Sequence, residues 1–234
     1  MTAHAVTHFG LDVCIVRGML ACSLGLLVHT SRATEIMAIK GQVQLARQLQ
    51  ATPAAVGTKI QEADTMLVPP GSEALVQFDD GARMVVRSGS QLAFRKLGAD
   101  GEPSLREKTL QLIKGGLRYL SNKLRLGNAS GSDRVSFETA TSTVGIRGTD
   151  IEIAVTEDGA SGNPAGTYLK VNTGVAVLSG LDGTQVELAQ GGLAFGPEPV
   201  TQRGTRSLVR PSARPMQTVP DSVFKPAELD SLLR

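Results

Sequence analysis

Beyond residue 33 this chain has no cysteine and no histidine. The two cysteines, Cys14 and Cys22, and the three histidines, His4, His8 and His29, all precede that point in the 234-residue sequence. The remainder therefore has no means of forming a disulfide, a thiolate nucleophile, an imidazole general base or a Cys/His zinc site. No metal or cofactor is expected. Tryptophan is absent and aromatics make up 3% of the chain, so the core must be built from Val, Leu, Ile and Ala. A strong excess of one charge is also missing. If residues 1–33 are removed, Arg17 and Arg32 go with them against Asp12, and 22 basic residues face 21 acidic ones. A nucleic-acid-binding domain carries a clear basic surplus, so nucleic acid is not expected as a partner.

Long apolar runs are lacking as well. The uncharged stretch Gly18–Val28 follows Arg17. It falls short of the roughly 20 residues a membrane-spanning helix needs, and it has the make-up of a signal-peptide h-region. Ser31-Arg32-Ala33 offers small residues for a cut after Ala33. The expectation is a signal peptide over residues 1–33 and a periplasmic product with no membrane span after cleavage. A leader retained as an anchor is the alternative; a lipoprotein cut before Cys22 is disfavoured by Arg17.

With 41% hydrophobic and 20% charged residues, the rest has the composition of one globular domain with tails. Four Asp-Gly pairs punctuate it, at Asp80-Gly81, Asp100-Gly101, Asp158-Gly159 and Asp182-Gly183. Asp-Gly between alternating apolar runs signals a hairpin turn. ALVQFDD-GARMVV and GVAVLSGLDGTQVEL are the clearest examples. Period-two alternation in VSFETATSTVGIRGTDIEIAV, residues 135–155, reads as strand, glycine corner, strand, with Gly145 and Gly148 bracketing Ile146-Arg147 at a sharp turn or bulge. Leu110, Ile113, Leu117, Leu120 and Leu124 have near-heptad spacing, but Gly115-Gly116 in their midst favours strand–turn–strand over helix. The loop NKLRLGNASGSDR that follows fits a long hairpin tip, and a short helix near Gln42 to Gln50 is a further expectation.

Composition changes at Pro197. Val200–Pro220 contains Arg203, Arg206, Arg210 and Arg214 among Pro, Ser and Thr, and reads as a flexible linker. The closing KPAELDSLLR suits a short helix with Leu229, Leu232 and Leu233 on one face. That helix either packs on the body or docks a partner. The tail arginines either solubilise the segment or attract an anion.

Three blocks of this sequence resemble the FecR family of periplasmic sensor-regulators. The first is Thr139, Val144, Gly145, Arg147, Gly148, Thr149, Ile151 and Ile153, with Ala140 where the family has proline. The second is Ser72, Ala74, Leu75, Val76, Phe78, Asp80, Gly81, Met84 and Val86. The third is Gly174, Val177, Val186, Leu188 and Gly191, with Gly192 in place of a polar residue. Together they span residues 36–196. The resemblance implies an all-β domain of short antiparallel strands, solenoid-like or sandwich; composition adds a disordered, flexible tail over 197–234 with a short terminal helix. In that family the domain relays the state of an outer-membrane siderophore transporter to a sigma factor. This sequence shows no cytoplasmic sigma-binding domain, so the implied role narrows to binding an envelope protein or component, a membrane-bound regulator or transporter among them. A structural envelope protein assembling by strand pairing and a carboxylate-dependent hydrolase are the alternatives.

Candidate site residues follow. Arg147, between two glycines, either binds a carboxylate ligand or forms an ion pair with Asp150 or Glu152. Thr139, Thr141, Ser142 and Thr143 make a hydroxyl-rich approach to it. Asp79-Asp80 and Glu157-Asp158 suit turns better than acid–base pairs, because adjacent strand residues face opposite ways. Gly81, Gly145, Gly148 and Gly174 are expected as structural turn residues. The leader itself yields a test: protein isolated from the periplasmic fraction should begin near Thr34 on N-terminal sequencing, and an intact Met1 in the cytosol would refute export.

Overall fold

The computed structural model describes residues 33–48, 50–98, 107–122, 134–157, 162–201, 208–209 and 211–233. The leader, Asp100-Gly101, Asp158-Gly159, most of the loop after Ser121, and Arg203, Arg206 and Arg210 lie outside the described residues. Among those described, the strands are β1 (Glu35–Lys40), β2 (Gln44–Arg47), β3 (Gln50–Pro53), β4 (Thr65–Val68), β5 (Glu73–Gln77), β6 (Arg83–Val86), β7 (Ser90–Lys96) and β8 (Glu107–Leu120). They continue as β9 (Arg134–Glu138), β10 (Ser142–Thr156), β11 (Gly166–Gly180), β12 (Gln185–Leu188), β13 (Leu193–Pro197), β14 (Val200–Thr201), β15 (Leu208–Val209) and β16 (Arg214–Met216). A 3-10 helix follows at Glu228–Leu232. The domain is all-β, as the alternation predicts, and β14 and β15 pair separately from the main sheet.

Three long strands organise that sheet. The first half of β8 pairs with β7 and, in a parallel ladder, with β9; its second half pairs with β6 and β10. Strand β10 pairs first with β9 and later with β8, always against β11. Strand β11 pairs with β13 at its start and with β12 at its end. Each long strand thus serves two neighbourhoods of one sheet, and both must bury their apolar side chains in one core.

Period-two alternation alone does not deliver this, because each long strand changes the parity of its core residues part-way. Strand β8 buries Leu110 and Leu112, then Leu117 and Tyr119. Strand β10 buries Val144 and Ile146, then Ile151 and Ile153; strand β11 buries Leu169 and Val171, then Ala176 and Leu178. One extra residue in a strand turns every later side chain over. In β8 the extra residue is Ile113, since Gln91 faces Lys114 while Leu92 faces Leu112. Between β10 and β11, Gly148 and Thr149 stand against Gly174 alone, and Asn172 then stands against nothing. Each of those two strands gains one residue, so they turn over together.

The bulges need glycine. Gly148 and Gly174 have φ of 65° and 90°, a region L side chains seldom occupy. A Cβ on Gly174 would overlap the carbonyl oxygen of Gly148 and lie 2.9 Å from Thr149 Cγ2. Gly115 (φ 84°) performs the same service next to Ile113, with Ser90 Cα 2.6 Å from where its Cβ would be.

Several expectations change. Residues 110–120 form one bent strand, not strand–turn–strand, because the bulge absorbs the glycines. The chain reversal within residues 135–155 lies at Thr139–Thr141; Gly145 sits inside the continuous β10, with no positive φ and nothing near its absent Cβ. Residues 42–50 make the β2–β3 hairpin, not a helix. The Asp80-Gly81 and Asp182-Gly183 pairs do sit in hairpin turns, between β5 and β6 and between β11 and β12. At the former Gly81 has φ 85° and its N–H bonds to the Phe78 carbonyl at 2.9 Å.

Among the described residues of the tail, 214–233 lie against the sheet, where composition suggests a linker and a disordered end. Strand β16 adds to β13, and residues 217–233 then cross the second face of the sheet. Met216, Val219, Val223 and Phe224 cover Ala154, Tyr168 and Phe195 at one end. Ala227, Leu229 and Leu233 cover Leu75, Val85 and Leu120 at the other. Composition suggested a linker, yet this segment carries enough apolar side chains at uneven spacing to be held as a strap. Truncation after Gly196 would thus uncover both clusters.

The bulge geometry predicts that Gly174→Ala lowers stability by about 1–3 kcal/mol, the cost of forcing a side chain into a rare backbone state. Gly145→Ala should stay within about 0.5 kcal/mol of wild type. Equal unfolding midpoints for the two variants would show that the bulge makes no conformational demand.

Candidate functional site

The second face of the sheet carries a belt of charge between the two apolar clusters. Backbone register places it: Val85, Arg118, Glu152 and Lys170 lie side by side on β6, β8, β10 and β11. The rung to one side reads Arg83, Leu120, Asp150; the rung to the other reads Gly116, Ala154, Tyr168, Phe195.

Glu152 is the centre. Its carboxylate accepts hydrogen bonds from Arg87 Nη2 at 2.6 Å, Lys170 Nζ at 3.1 Å and Asn172 Nδ2 at 3.1 Å. Asp150 takes a two-pronged bond from Arg118, at 3.0 and 2.7 Å, and a third from Asn172 at 3.2 Å. Burial disfavours the Glu152 charge, but the Arg87 charge and hydrogen bond, then Asn172 and Lys170, outweigh it and hold the carboxyl below its usual value. The hydrogen bond from Arg118 to Asp150 raises the Arg118 pKa against a smaller desolvation effect. Removing one partner from such a buried pair costs about 3–5 kcal/mol, because the other charge is left without compensation.

The strap completes the belt. Asp230 reaches Arg87 Nη2 at 3.2 Å, and Arg83 Nη1 donates to the Leu232 carbonyl at 2.8 Å. The Glu73 carboxylate accepts the backbone N–H groups of Glu228 and Leu229, at 3.2 and 3.0 Å. Lys40 pairs with Glu228 at 2.5 Å.

Arg147 stands apart. It is exposed on the bulge beside half-exposed Val175, and among the described residues it has no ion pair. Asp150 and Glu152, its expected partners, belong to Arg118 and Arg87 instead. Of the three terminal leucines, Leu233 is 1% exposed and Leu229 packs on the second face, whereas Leu232 remains 45% exposed. They do not form one apolar face: Leu229 and Leu233 turn to the sheet and Leu232 turns away. The threonine hydroxyls near the reversal bond to each other and to backbone: Thr139 and Thr141 contact Thr167 at 2.7 and 2.6 Å, and Thr141 donates to the Gly196 carbonyl at 3.0 Å.

Sequence reasoning missed Arg87, Arg118, Lys170 and Asp230, since strand register alone brings them together. It also missed Lys108, which is fully buried. Its ammonium contacts Asp80, lies 3.6 Å from Asp79 and sits 5.4 Å from the Phe78 ring centre. The Asp79-Asp80 turn is therefore also the counter-charge of a core lysine. Among the described residues no group of His, Cys, Asp and Glu could hold a metal ion, and no helix is long and apolar enough to cross a membrane.

No protein-family model matches this chain, and no curated protein does. Solved structures that align with it include two crystal structures of a candidate anti-sigma factor from Parabacteroides distasonis, at 1.65 and 2.50 Å resolution. Each is 10% identical with a TM-score of 0.43, and the alignment covers 63% of this chain and 59% of that one. The chain thus spans less than two thirds of the length of the structures it matches.

The depressed Glu152 carboxyl has a defined consequence for pH. A carboxylate whose folded pKa lies below its unfolded one contributes stability that is present above the ordinary value of 4.5 and lost as pH falls through the folded value. Unfolding midpoints should fall on acidification below about pH 4.5, and Glu152→Gln should flatten part of that fall while lowering stability at neutral pH. A Glu152→Gln profile parallel to wild type would mean that Glu152 contributes nothing to the acid sensitivity.

Proposed function

We propose that this chain is a non-catalytic, FecR-like binding module of the cell envelope, exported by its leader and acting through contact surfaces on an envelope protein or component. A membrane-bound regulator or transporter is the partner class the sequence resemblance suggests.

The observation that carries this reading is the state of the carboxylates. A hydrolase working with two acids needs one held protonated, with a raised pKa, opposite a second that is free to act. Here Asp79 and Asp80 face Lys108, Asp150 is clamped by Arg118, and Glu152 is bound by Arg87 and Lys170 with its pKa lowered. These groups are set up to hold strands in place. The blocks that resemble FecR supply core residues and bulge glycines, which supports a scaffold with exposed contact points such as Arg147 and Val175. Assembly by strand pairing finds less support: edge strand β3 is four residues long and ends in Pro53, which lacks a donor.

Photo-cross-linking the full chain through a reactive side chain at position 175 in an envelope extract tests the proposal. A discrete envelope partner is expected, with weaker capture by Arg147→Glu. Glycan or peptidoglycan hydrolysis that vanishes in Glu152→Gln would establish the enzyme instead. A ladder of the chain's own multimers would favour strand pairing.

A further inference from the structure

Among the described residues, the strap is attached to the body differently from the strands. After Met216 its polar contacts with the body run through side chains: Asn163 to Ser222, Glu73 to two strap N–H groups, Arg83 to a strap carbonyl, Arg87 to Asp230 and Lys40 to Glu228. No ladder of the sheet uses residues 217–233. Lifting the strap therefore breaks no sheet hydrogen bond. It does expose two apolar clusters and leaves Arg87 with one acidic partner fewer, so a vacated face favours a substitute of similar chemistry.

The strap also leaves the central polar contact incomplete. Arg87 is more than nine-tenths buried, yet its Nε and Nη1 have no hydrogen-bond partner, nor does the buried Oδ1 of Asp230. Buried donors without acceptors are costly, because they give up water and gain no partner. A carboxylate engaging Arg87 from a better angle would recover part of that. Beside the contact, a cleft of about 350 Å3 opens between Gly115-Gly116 on the sheet and Val223 and Lys225 on the strap, with Arg87 in its wall.

We propose that the second face of the sheet is a peptide-docking surface, that residues 217–233 are its resident occupant, and that a partner displaces them with a segment of matching chemistry. The strap itself spells out that chemistry: an aliphatic–aromatic pair such as Val223-Phe224 for the Tyr168–Phe195 end, a carboxylate for Arg87, and a leucine for the Leu75–Val85–Leu120 end. This inference rests on the reading of the chain as a binding module and names the surface that module uses. With the strap lifted, Arg118, Lys170 and Arg87 face only Asp150 and Glu152, so the middle of the face keeps one positive charge without a counter-charge, which selects a segment carrying a carboxylate over a basic one.

Two measurements on the full chain test it. Under native conditions, hydrogen exchange at the Leu229 and Leu233 amides should be at least a hundredfold faster than at Ile151 and Ile153, because the strap opens without the sheet. Equal rates would mean that the strap leaves only when the domain unfolds, and would overturn the proposal. Separately, a fluorescent peptide of residues 217–234 is titrated into full-length wild type and into a full-length Asp230→Ala/Leu233→Ala chain, whose own strap competes less well. At least tenfold tighter binding to the variant is expected, with loss when the peptide itself carries Asp230→Ala. Equal binding or none, with the variant's β circular dichroism intact, would refute a replaceable occupant. Dimers of the variant in sedimentation that exchange straps would make the occupant a second copy of this chain and would also overturn the proposal. Any of these failures leaves the binding-module reading standing if cross-linking still captures an envelope partner.

Discussion

Everything in this fold depends on three strands that must change faces without ending. Strands β8, β10 and β11 are 14 or 15 residues long, and each runs through two sets of neighbours that share one core. A regular strand of that length would bury the correct side chains in one half and expose them in the other. One inserted residue per strand removes the conflict, and positive-φ glycines at 115, 148 and 174 make the insertions sterically possible. Because the β10 and β11 insertions are offset by two residues, the strands remain paired for almost their whole length. The glycine-bracketed sequence around Arg147 is thus a device for turning a strand over, and the exposed arginine rides on it.

Local features of this architecture were legible in the sequence, and non-local ones were not. Asp80-Gly81 announces its hairpin because turn chemistry is confined to four residues. Gly148 announces an irregularity for the same reason. The Leu110–Leu120 run misleads because an extra residue at Ile113 makes a strand imitate helical spacing. The belt is invisible because Arg87 and Glu152 are 65 residues apart, and only register joins them. The strap was misread because it crosses the strands at an angle; its apolar residues meet the sheet at irregular intervals, so neither period two nor period 3.6 is visible.

The polar groups of the domain act as fasteners rather than reagents. Lys108 is fully buried against Asp79 and Asp80, and so ties the start of β8 to the β5–β6 turn. Edge-on contacts of Tyr119 with Phe78 and Phe137, at 5.8 and 5.4 Å, fill the space beside it. Buried ion pairs are weak sources of net stability but costly to mispair. Their use in both the core and the belt favours one register over alternatives in which a charge would meet apolar surface.

The belt also bears on the order in which the molecule comes together. Four of the strap's anchors join residues separated by 143 to 156 positions. Bringing such remote segments together is slow relative to hairpin closure, and synthesis delivers the strap after every strand of the main sheet. For that interval the second face is bare. Were it uniformly apolar, it would be a single wide adhesive surface on a newborn protein. Arg118, Asp150, Glu152 and Lys170 divide it into two smaller patches with a hydrated lane between them. The charges that later lie beneath the strap therefore first divide the apolar surface of the nascent chain.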